Sequence, residues 1–575
     1  MDNARSRGRQ ALHAWRATQP DNFYRGNGHL QAVLKRHWGE STLAKYSQTL
    51  DHYGSVVPTV LDDAAIHNNR HHNLPRLERY DDFGERLEGI EHHPSYHVCG
   101  KAIYEDGKVI ASYAEQHPNL LAQALFYISS HVGEAGHNCP VACTAGVVKA
   151  LQAAGSSALK EAYLPSLLTN VYDERFDGAQ FLTEVQGGSD VGANCVEAFP
   201  DGEAMGTTRW KIRGEKWFCS NADADLILMT ARVHGGPAGT RGLGLFLIPR
   251  RLDDGTANNF ALRRLKDKLG TRSMPSAEID FNDAVAYAVG PVDAGFATVI
   301  NNVINTSRLY NTVGCTGIAR RATLVARGYA EHREAFGQPV ISYPLMQEML
   351  ASMYSTEAAL LSGSMLLAAE LDRVETNDTT EERQGALRIA INLSKMRSCQ
   401  HSHRVVLTGI ETLGGNGAIE SFSVLPRLMR DNIVYENWEG THNTLLAQTL
   451  RDCARHRLHD ALGRWLTELL SGLDEHYASH TKMFKDALSS CNTAIDSALN
   501  AQDPNTAVLQ ARPHLERLAD LFFAVAFLAD IASITDKLTE RQMRAQLTWF
   551  WRSFGDEPKE RDLSYSIELK TITGL

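Results

Sequence analysis

The residues best placed to do chemistry lie in Asn437-Trp438-Glu439-Gly440-Thr441-His442-Asn443, shortly after Gly414-Gly415-Asn416-Gly417. One carboxylate, Glu439, stands between an indole and a glycine. Partial desolvation by such a neighbour raises a carboxylate's pKa and makes it a better base. The glycine lets a ligand approach the backbone closely. Taken alone, Glu439-Gly440-Thr441 suits an ordinary turn; its weight comes from upstream segments that fit one chemistry in one order.

Phe181-Leu182-Thr183-Glu184-Val185-Gln186-Gly187-Gly188-Ser189-Asp190 places two glycines between hydroxyl side chains. Such a loop can present backbone N–H groups and hydroxyls to a polar ligand. A turn with Asx-type capping is the plain alternative. Lys216-Trp217-Phe218-Cys219-Ser220-Asn221 reads as a strand ending in a hydroxyl. There an aromatic can cover a flat ring while the hydroxyl meets its edge, although core aromatics in a strand look the same. Arg333-Glu334-Ala335-Phe336-Gly337-Gln338-Pro339 reads as the end of a long helix, with Gly-x-Pro as its stop. Arg333 and Phe336 would then share a helical face, one pairing with a phosphate and the other stacking on a purine. His67, His71, His72, His92, His93 and His97 match no zinc spacing, so no metal centre is expected.

The elements that must position these residues change texture along the chain. Residues 1–178 read as a mostly helical domain. Residues 179–290 form a middle β domain, with β-rich runs at 209–218, 225–233, 244–249 and 277–281. The helical period returns over 291–450, a bundle that carries Glu439, and continues as a helical extension over 451–575. In that extension Leu515, Leu518, Phe522, Val525, Ala529 and Ala532 recur as one apolar stripe. Phe523, Phe527 and Trp549-Phe550-Trp551 add apolar surface that needs cover. No βαβ alternation or glycine fingerprint occurs, which excludes a Rossmann domain.

Composition sets outer limits. A chain of 575 residues exceeds one hydrophobic core, and 43% hydrophobic with 22% charged residues is ordinary for a globular protein. A net charge of −10 gives no nucleic-acid footprint. Residues 451–575 hold 15 cationic and 18 acidic side chains, which argues against a DNA-binding tail. Nine scattered cysteines without Cys-x-x-Cys point to a reducing, cytoplasmic setting, with the mitochondrial matrix as the alternative in a eukaryote. The N-terminus shows no secretory signal. The longest apolar run, 521–529, is too short to span a bilayer. Arg517, Asp520, Asp530 and Asp536 flank it and are mostly acidic, so an anionic membrane is expected to repel it.

Together these segments resemble the acyl-CoA dehydrogenase family of flavoproteins over roughly residues 90–450. The landmarks are Thr183-Glu184, Gly188-Ser189-Asp190, Lys216-Trp217-Phe218-Cys219-Ser220-Asn221, Lys268-Leu269-Gly270-Thr271-Arg272-Ser273, Arg333 with Phe336-Gly337, Gly414-Gly415-Asn416-Gly417, Leu428-Met429-Arg430-Asp431 and Trp438-Glu439-Gly440-Thr441. Arg79-Tyr80-Asp81, His93-Pro94, His97, Leu265-Lys266-Asp267-Lys268 and Tyr343-Pro344-Leu345-Met346 are similar to the branch that contains a bacterial alkylation-response flavoprotein. The resemblance implies an α+β, mainly α fold. It has an N-terminal helical domain, a middle antiparallel β-barrel-like domain and a C-terminal four-helix bundle, here with a helical extension. It also implies noncovalent FAD and a homotetramer built as a dimer of dimers.

Residue by residue, the resemblance assigns Leu182, Thr183 and Ser189 to the flavin. Phe218 would cover the isoalloxazine and Ser220 would meet its N5 edge. Arg333, Phe336, Gly414 and Gly415 would reach the adenosine diphosphate half of a neighbour's FAD, and Thr441 and Asn443 would touch the cofactor. Ser189, Arg308 and Gly440 fall on the acyl-CoA side. Glu439 matches the family's catalytic carboxylate; the alternative position, one residue before Arg308, holds Ser307. The implied reaction is α,β-desaturation of an acyl-CoA thioester: Glu439 takes the α-proton, the β-hydride passes to flavin N5, and an electron-transfer flavoprotein reoxidises the cofactor. A protective or DNA-associated flavoprotein with weak dehydrogenase activity is the alternative. Three departures bear on the substrate more than on the cofactor: Trp438 where the family often has Tyr, Phe218 where Trp is usual, and Ala335 where Thr is found.

Overall fold

The computed structural model describes residues 2–553 and 561–575. The chain divides into two compact units, one of Met1–Pro58, Ser130–Gly133 and Asn311–Leu575, the other of Thr59–Ser129 and Glu134–Tyr310.

The second unit is built on seven strands: β1 (Gly178–Phe181), β2 (Glu197–Ala204), β3 (Thr207–Ser220), β4 (Leu226–Val233), β5 (Leu243–Pro249), β6 (Phe260–Leu265) and β7 (Ser276–Ala288). They follow the order β1-β4-β2-β3-β7-β5, with β6 on β7. Because β5 also pairs with β4, strands β4, β2, β3, β7 and β5 close a ring. Closure removes the open edge that a flat sheet leaves unpaired. Trp210, Ile212, Phe246, Ile248, Ile279 and Phe281 lie in its core. The pairing is antiparallel except at β4, where β1 and β2 both run parallel to it. Both parallel pairs join strands that are not consecutive: β2 and β3 intervene between β1 and β4, and β3 between β2 and β4, which supplies the long crossover a parallel pair needs. Outside the sheet, three of the crowded histidines of this unit make structural bonds, while His71 and His72 are exposed. His92 Nε2 lies 2.7 Å from Asp223, His93 accepts from Ser95 N–H at the head of the Pro94–Lys101 helix, and His97 Nδ1 lies 3.1 Å from the Tyr172 hydroxyl.

The other unit is helical. Beside an N-terminal helix, Gly28–Val56, its long elements are α1 (Asn305–His332), which begins a few residues before this unit, α2 (Pro344–Glu375), α3 (Glu381–Leu413), α4 (Leu425–Asn437) and α5 (His442–His456). The extension adds α6 (Leu458–Ser471), α7 (Ala478–Leu499), α8 (Pro504–Ile531), α9 (Lys537–Arg552) and α10 (Leu563–Thr573). α8 is covered on more than the face of its stripe, as Phe523 and Phe527 lead one to expect. Every residue from Leu518 to Ile531 is buried, and the helix packs against α2, α3, α7 and α9. Gly363 of α2 makes room for Phe523: a Cβ there would come within 2.3 Å of the phenyl ring.

Asp520 and Asp530 depart from the sequence reading. Neither is a surface charge beside an apolar run; both are buried. Asp520 accepts from both arms of Arg397, at 2.9 and 2.8 Å, and lies 2.8 Å from His401 Nε2. Asp530 lies 2.6 Å from the Arg36 guanidinium. Their cationic partners come from distant parts of the chain, which helical spacing around 521–529 cannot reveal. No described helix is long and apolar enough to cross a membrane.

Candidate active site

Six of the expected site residues fall in the sheet unit. Leu182 and Thr183 are half-buried and Ser189 is exposed, all in the loop after β1. The loop is pinned from beneath by a buried ion pair, Lys216 Nζ to Glu184 at 2.7 Å. The Glu184 carboxylate also accepts from the backbone N–H of Cys195 at 2.6 Å and from the Gln186 side chain at 2.7 Å. Lys216 and Asn194 both donate to the Leu182 carbonyl, at 3.1 and 2.7 Å. Trp217 N–H donates to the Thr183 carbonyl at 3.0 Å. These bonds fasten Leu182 and Thr183 to β3 beside Phe218. Burial alone would push Glu184 up, yet Lys216 and the donors around it hold the carboxylate below its usual range. Burial pushes the Lys216 ammonium down.

The Phe218 ring is 41% exposed, unusual for a large aromatic in a strand. The Lys266 ammonium lies 3.6 Å from the Trp217 ring centroid and 5.4 Å from that of Phe218. Ser220 Oγ lies 3.1 Å from Ser276 Oγ. Lys268 Nζ in turn donates to Ser276 Oγ at 2.9 Å and to the Met274 carbonyl at 2.6 Å. A hydroxyl with an ammonium behind it, next to an open aromatic face, suits the electron-rich edge of a flat ring. Arg308 is buried in the same unit. Ser307 beside it donates to Gln180 Oε1 at 3.2 Å, so this position supplies a hydroxyl and no base.

Glu439 lies in the helical unit. α4 ends at Asn437 and α5 starts at His442, with Thr441 as its N-cap residue. Between them Glu439 adopts φ of 56° and Gly440 φ of 97°. A left-handed backbone costs a non-glycine residue about 1–2 kcal/mol, and such strain gathers at functional sites. The Trp438 indole stacks on Tyr435 of α4, with ring centroids 4.7 Å apart. The buried Lys395 of α3 donates to the carbonyls of Glu436 and Gly440, at 3.2 and 2.9 Å. Thr441 and Asn443 are exposed, and Thr441 Oγ1 lies 3.0 Å from Thr444 Oγ1.

The glycine turn after α3 is open. A Cβ on Gly414 or Gly415 would meet no atom within 4 Å, and Gly414 has φ of 60°. Asn416 donates to the Tyr329 hydroxyl at 3.1 Å, which ties this turn to α1 one helical turn before Arg333. Arg333 and Phe336 do not share a helical face. α1 stops at His332, and residues 334–335 pair with 338–339 as a hairpin. Its two turn residues, Phe336 and Gly337, have φ of 52° and 89°. Positive φ at both positions is the type I′ turn, whose twist suits a two-residue hairpin. Tyr343 closes it by donating to the Ala335 carbonyl at 2.7 Å. Phe336 is left 98% exposed.

Among the described residues, His459, Asp460 and Asp496 come near enough together to hold a metal ion. Arg457 already pairs with both aspartates, at 2.5 and 3.0 Å, so a guanidinium occupies the cation's place. Sequence reasoning did not single out Lys395, Lys268 or the Glu184–Lys216 pair as site supports. One signal was available: Leu387, Ile391, Lys395 and Cys399 form a row at four-residue spacing, which sets a charge on an apolar line.

Three domain models match in chain order. They are the adaptive response protein AidB N-terminal domain over residues 15–174, the acyl-CoA dehydrogenase middle domain over 179–284 and the acyl-CoA dehydrogenase C-terminal domain over 293–453. Acyl-CoA dehydrogenase family member 11 of Caenorhabditis elegans is 30% identical over 499 residues, covering 83% of this chain and 77% of its own length. This chain belongs to the acyl-CoA dehydrogenase family. It is an FAD-dependent oxidoreductase of the AidB-like branch. Putative acyl-CoA dehydrogenase AidB of Escherichia coli is 30% identical over 79% of this chain and 82% of its own length. The crystal structure of Caenorhabditis elegans ACDH-11 in complex with C11-CoA superimposes with a TM-score of 0.82 at 25% identity, over 95% of this chain and 93% of that one. The residues present fit FAD: the Phe218 ring is exposed, Ser220 two residues further along the same strand carries a hydroxyl, and the Gly414-Gly415 turn is open.

Replacing Glu184 by Gln is expected to lower stability by about 3 kcal/mol, because it leaves Lys216 as a buried cation without its counter-charge. The folded Glu184 carboxylate titrates below its unfolded value, so the pair's contribution is full above about pH 4.3. It fades as pH falls through the folded value. The gap in melting temperature between the two proteins should therefore be widest near neutral pH and shrink below pH 4; an equal gap at every pH would refute the charge-pair account.

Proposed function

We propose that this acyl-CoA dehydrogenase desaturates an acyl-CoA thioester between its α and β carbons, with Glu439 as the base. The observation that supports this most is the backbone of Glu439 itself, a carboxylate held at φ of 56° in a short bend between two helices of the matched C-terminal domain. Ser307 at the alternative position bonds Gln180 and leaves Glu439 as the carboxylate for the task.

FAD, when bound, accepts the β-hydride. Glu439 takes the α-proton. The α-C–H is weakly acidic, so the charge growing on the thioester oxygen needs a donor, and a backbone N–H of the 439–440 bend is suited to supply it. Losing one such donor typically costs about 10²–10³ in rate. The Trp438 indole, stacked on the buried Tyr435, sets an apolar ring beside the half-buried Glu439, and a site dried by bound substrate would strengthen these interactions. Leu182, Thr183, Ser189, Phe218 and Ser220 would hold the flavin, with Ser189, Arg308 and Gly440 on the acyl-CoA. The C11-CoA carried by the nematode neighbour supports a fatty acyl-CoA as the substrate class. An electron-transfer flavoprotein would reoxidise the cofactor. Anaerobic mixing with acyl-CoAs of graded chain length tests the reading: flavin bleaching by at least one of them is expected, and none by any length would overturn it.

In the same reading Arg333, Phe336, Gly414 and Gly415 serve the adenosine diphosphate half of a neighbouring subunit's FAD within a homotetramer, and Thr441 and Asn443 touch the cofactor just after the base. An aromatic held out at the tip of a type I′ hairpin supports this, since it buries almost none of its own surface in the chain. Arg333→Ala removes a charge-assisted phosphate contact worth about 1.5–3 kcal/mol, so FAD retention through gel filtration should fall. A monomeric wild-type protein with full FAD occupancy would rule the intersubunit role out.

A further inference from the structure

We infer that Lys395 is a positioning residue for the base: its ammonium clamps the chain on both sides of Glu439 and keeps that residue in its left-handed backbone conformation. The inference rests on Glu439 being the base. Three observations carry it. First, the Lys395 side chain is fully buried and ranks among the largest side chains in the protein with no exposure. A buried ammonium is costly unless its donors are used. Second, two of its donors go to the carbonyls of Glu436 and Gly440, at 3.2 and 2.9 Å. These lie three residues before and one residue after Glu439. Third, the clamped segment is one the chain would not otherwise keep, with φ of 56° at Glu439 and 97° at Gly440.

The chemistry of the two acceptors explains why a cation serves here. The Glu436 carbonyl is among the last of α4, and such carbonyls have no partner within their own helix. They also carry the negative end of the helix dipole, so a nearby cation is favoured. The Gly440 carbonyl belongs to the bend. One ammonium can satisfy both because its donors diverge from a single point. Lys395 enters from α3, a separate element, so the bend is referenced to the bundle and not only to its flanking helices. Neighbouring bonds steady the same segment. His403 Nδ1 lies 2.6 Å from the Glu436 carboxylate. Asn311 Nδ2 donates to the Tyr435 carbonyl at 3.2 Å, and Gln400 Nε2 lies 3.3 Å from His442 Nδ1. None of these touches both sides of Glu439, as Lys395 does.

The test compares wild type with Lys395→Gln and Lys395→Met in the full-length, FAD-loaded protein, with Glu439→Gln alongside. Lys395→Gln keeps a hydrogen-bond donor without the charge, and Lys395→Met keeps the volume. Two readouts are taken. In anaerobic flavin reduction, the limiting rate at saturating acyl-CoA should fall about 10–100-fold while the half-saturating concentration moves less than about threefold, the split expected when only the base is misplaced. In amide hydrogen exchange, peptides spanning 437–444 should exchange faster in the variants, while peptides from α2 and α8 keep their protection. Wild-type rates and wild-type exchange across 437–444 in Lys395→Gln would overturn the inference. So would a uniform rise in exchange over the whole helical unit, which would mark Lys395 as a general support of the fold. If both variants fail to fold, hydrogen exchange on wild-type protein decides: slow exchange across 437–444, matching that of α3, is required. If Glu439→Gln bleaches like wild type, it is the assignment of the base that fails, whatever Lys395 does.

Discussion

Glu439→Gln is expected to keep its FAD and its fold yet lose anaerobic flavin reduction by roughly a hundredfold or more, the lower end of what a general base contributes. Gln matches Glu in size and tolerates a left-handed backbone no worse, so the bend between α4 and α5 should survive the change. The Lys395 clamp bonds the backbone carbonyls of Glu436 and Gly440, which the change leaves in place. What disappears is the lone pair that accepts the α-proton. The visible spectrum of the purified variant reports FAD content, and stopped-flow bleaching with the best acyl-CoA reports the step. Near wild-type bleaching would sink the assignment of the base and with it the proposed reaction. Full bleaching in Ser307→Ala is expected in parallel, since that hydroxyl serves Gln180.

Removing residues 451–575 is expected to leave the remainder insoluble. The extension is not a tail laid on a finished bundle. Phe522, Phe523, Val525, Phe527 and Leu528 of α8 are all buried, and α8 packs against α2 and α3. At about 2 kcal/mol for each such side chain, their loss is on the order of 10 kcal/mol, comparable with the whole net stability of a domain. The same face also holds a buried charge network. Truncation strips Asp520 from Arg397 and His401, which stay behind in the bundle. The point variant Asp520→Ala isolates that part and should cost about 3–5 kcal/mol, because the buried Arg397 loses its counter-charge and the buried His401, whose pKa burial lowers, loses its hydrogen-bond partner. Burial alone would push the Asp520 carboxylate up, but His401 and Arg397 outweigh it and hold it below its usual range. Its contribution is thus present above about pH 4 and lost on acidification through the folded value. A soluble, FAD-retaining chain of residues 1–450 would show that the bundle stands alone.

The parts of the molecule legible in the sequence are those set by local chemistry. Glu439 stands out because a carboxylate, an indole and a glycine are adjacent, and the 182–189 loop because two glycines sit between hydroxyls. The β texture of 179–290 follows from short alternating runs between Gly and Asp/Asn clusters. What was not legible depends on partners far away in the chain. Asp520 and Asp530 looked like solvated flanks because Arg397 and Arg36 lie more than a hundred residues away. Phe523 and Phe527 showed that α8 needs cover on a second face, but spacing cannot say which helices supply it. The segment after α1 was read as helix because Arg333 and Phe336 stand at helical spacing. The Phe336-Gly337 pair accepts positive φ at both positions, and that tips the backbone into a hairpin instead.

The notch at Gly363 carries a consequence for how this branch can be recombined. The matched C-terminal domain ends at residue 453, yet α2, inside that domain, is shaped for a phenyl ring seventy residues beyond its end. α2 and α8 are therefore one packing unit although they are separate in sequence. A chimera that joins the tail of this chain to the bundle of a tailless relative should clash wherever the relative carries a side chain at the Gly363 position. The reverse exchange, a tailless bundle edge grafted here, should leave Phe523 without a seat. Crossovers that carry residues 344–375 and 504–531 together are the ones expected to yield folded offspring.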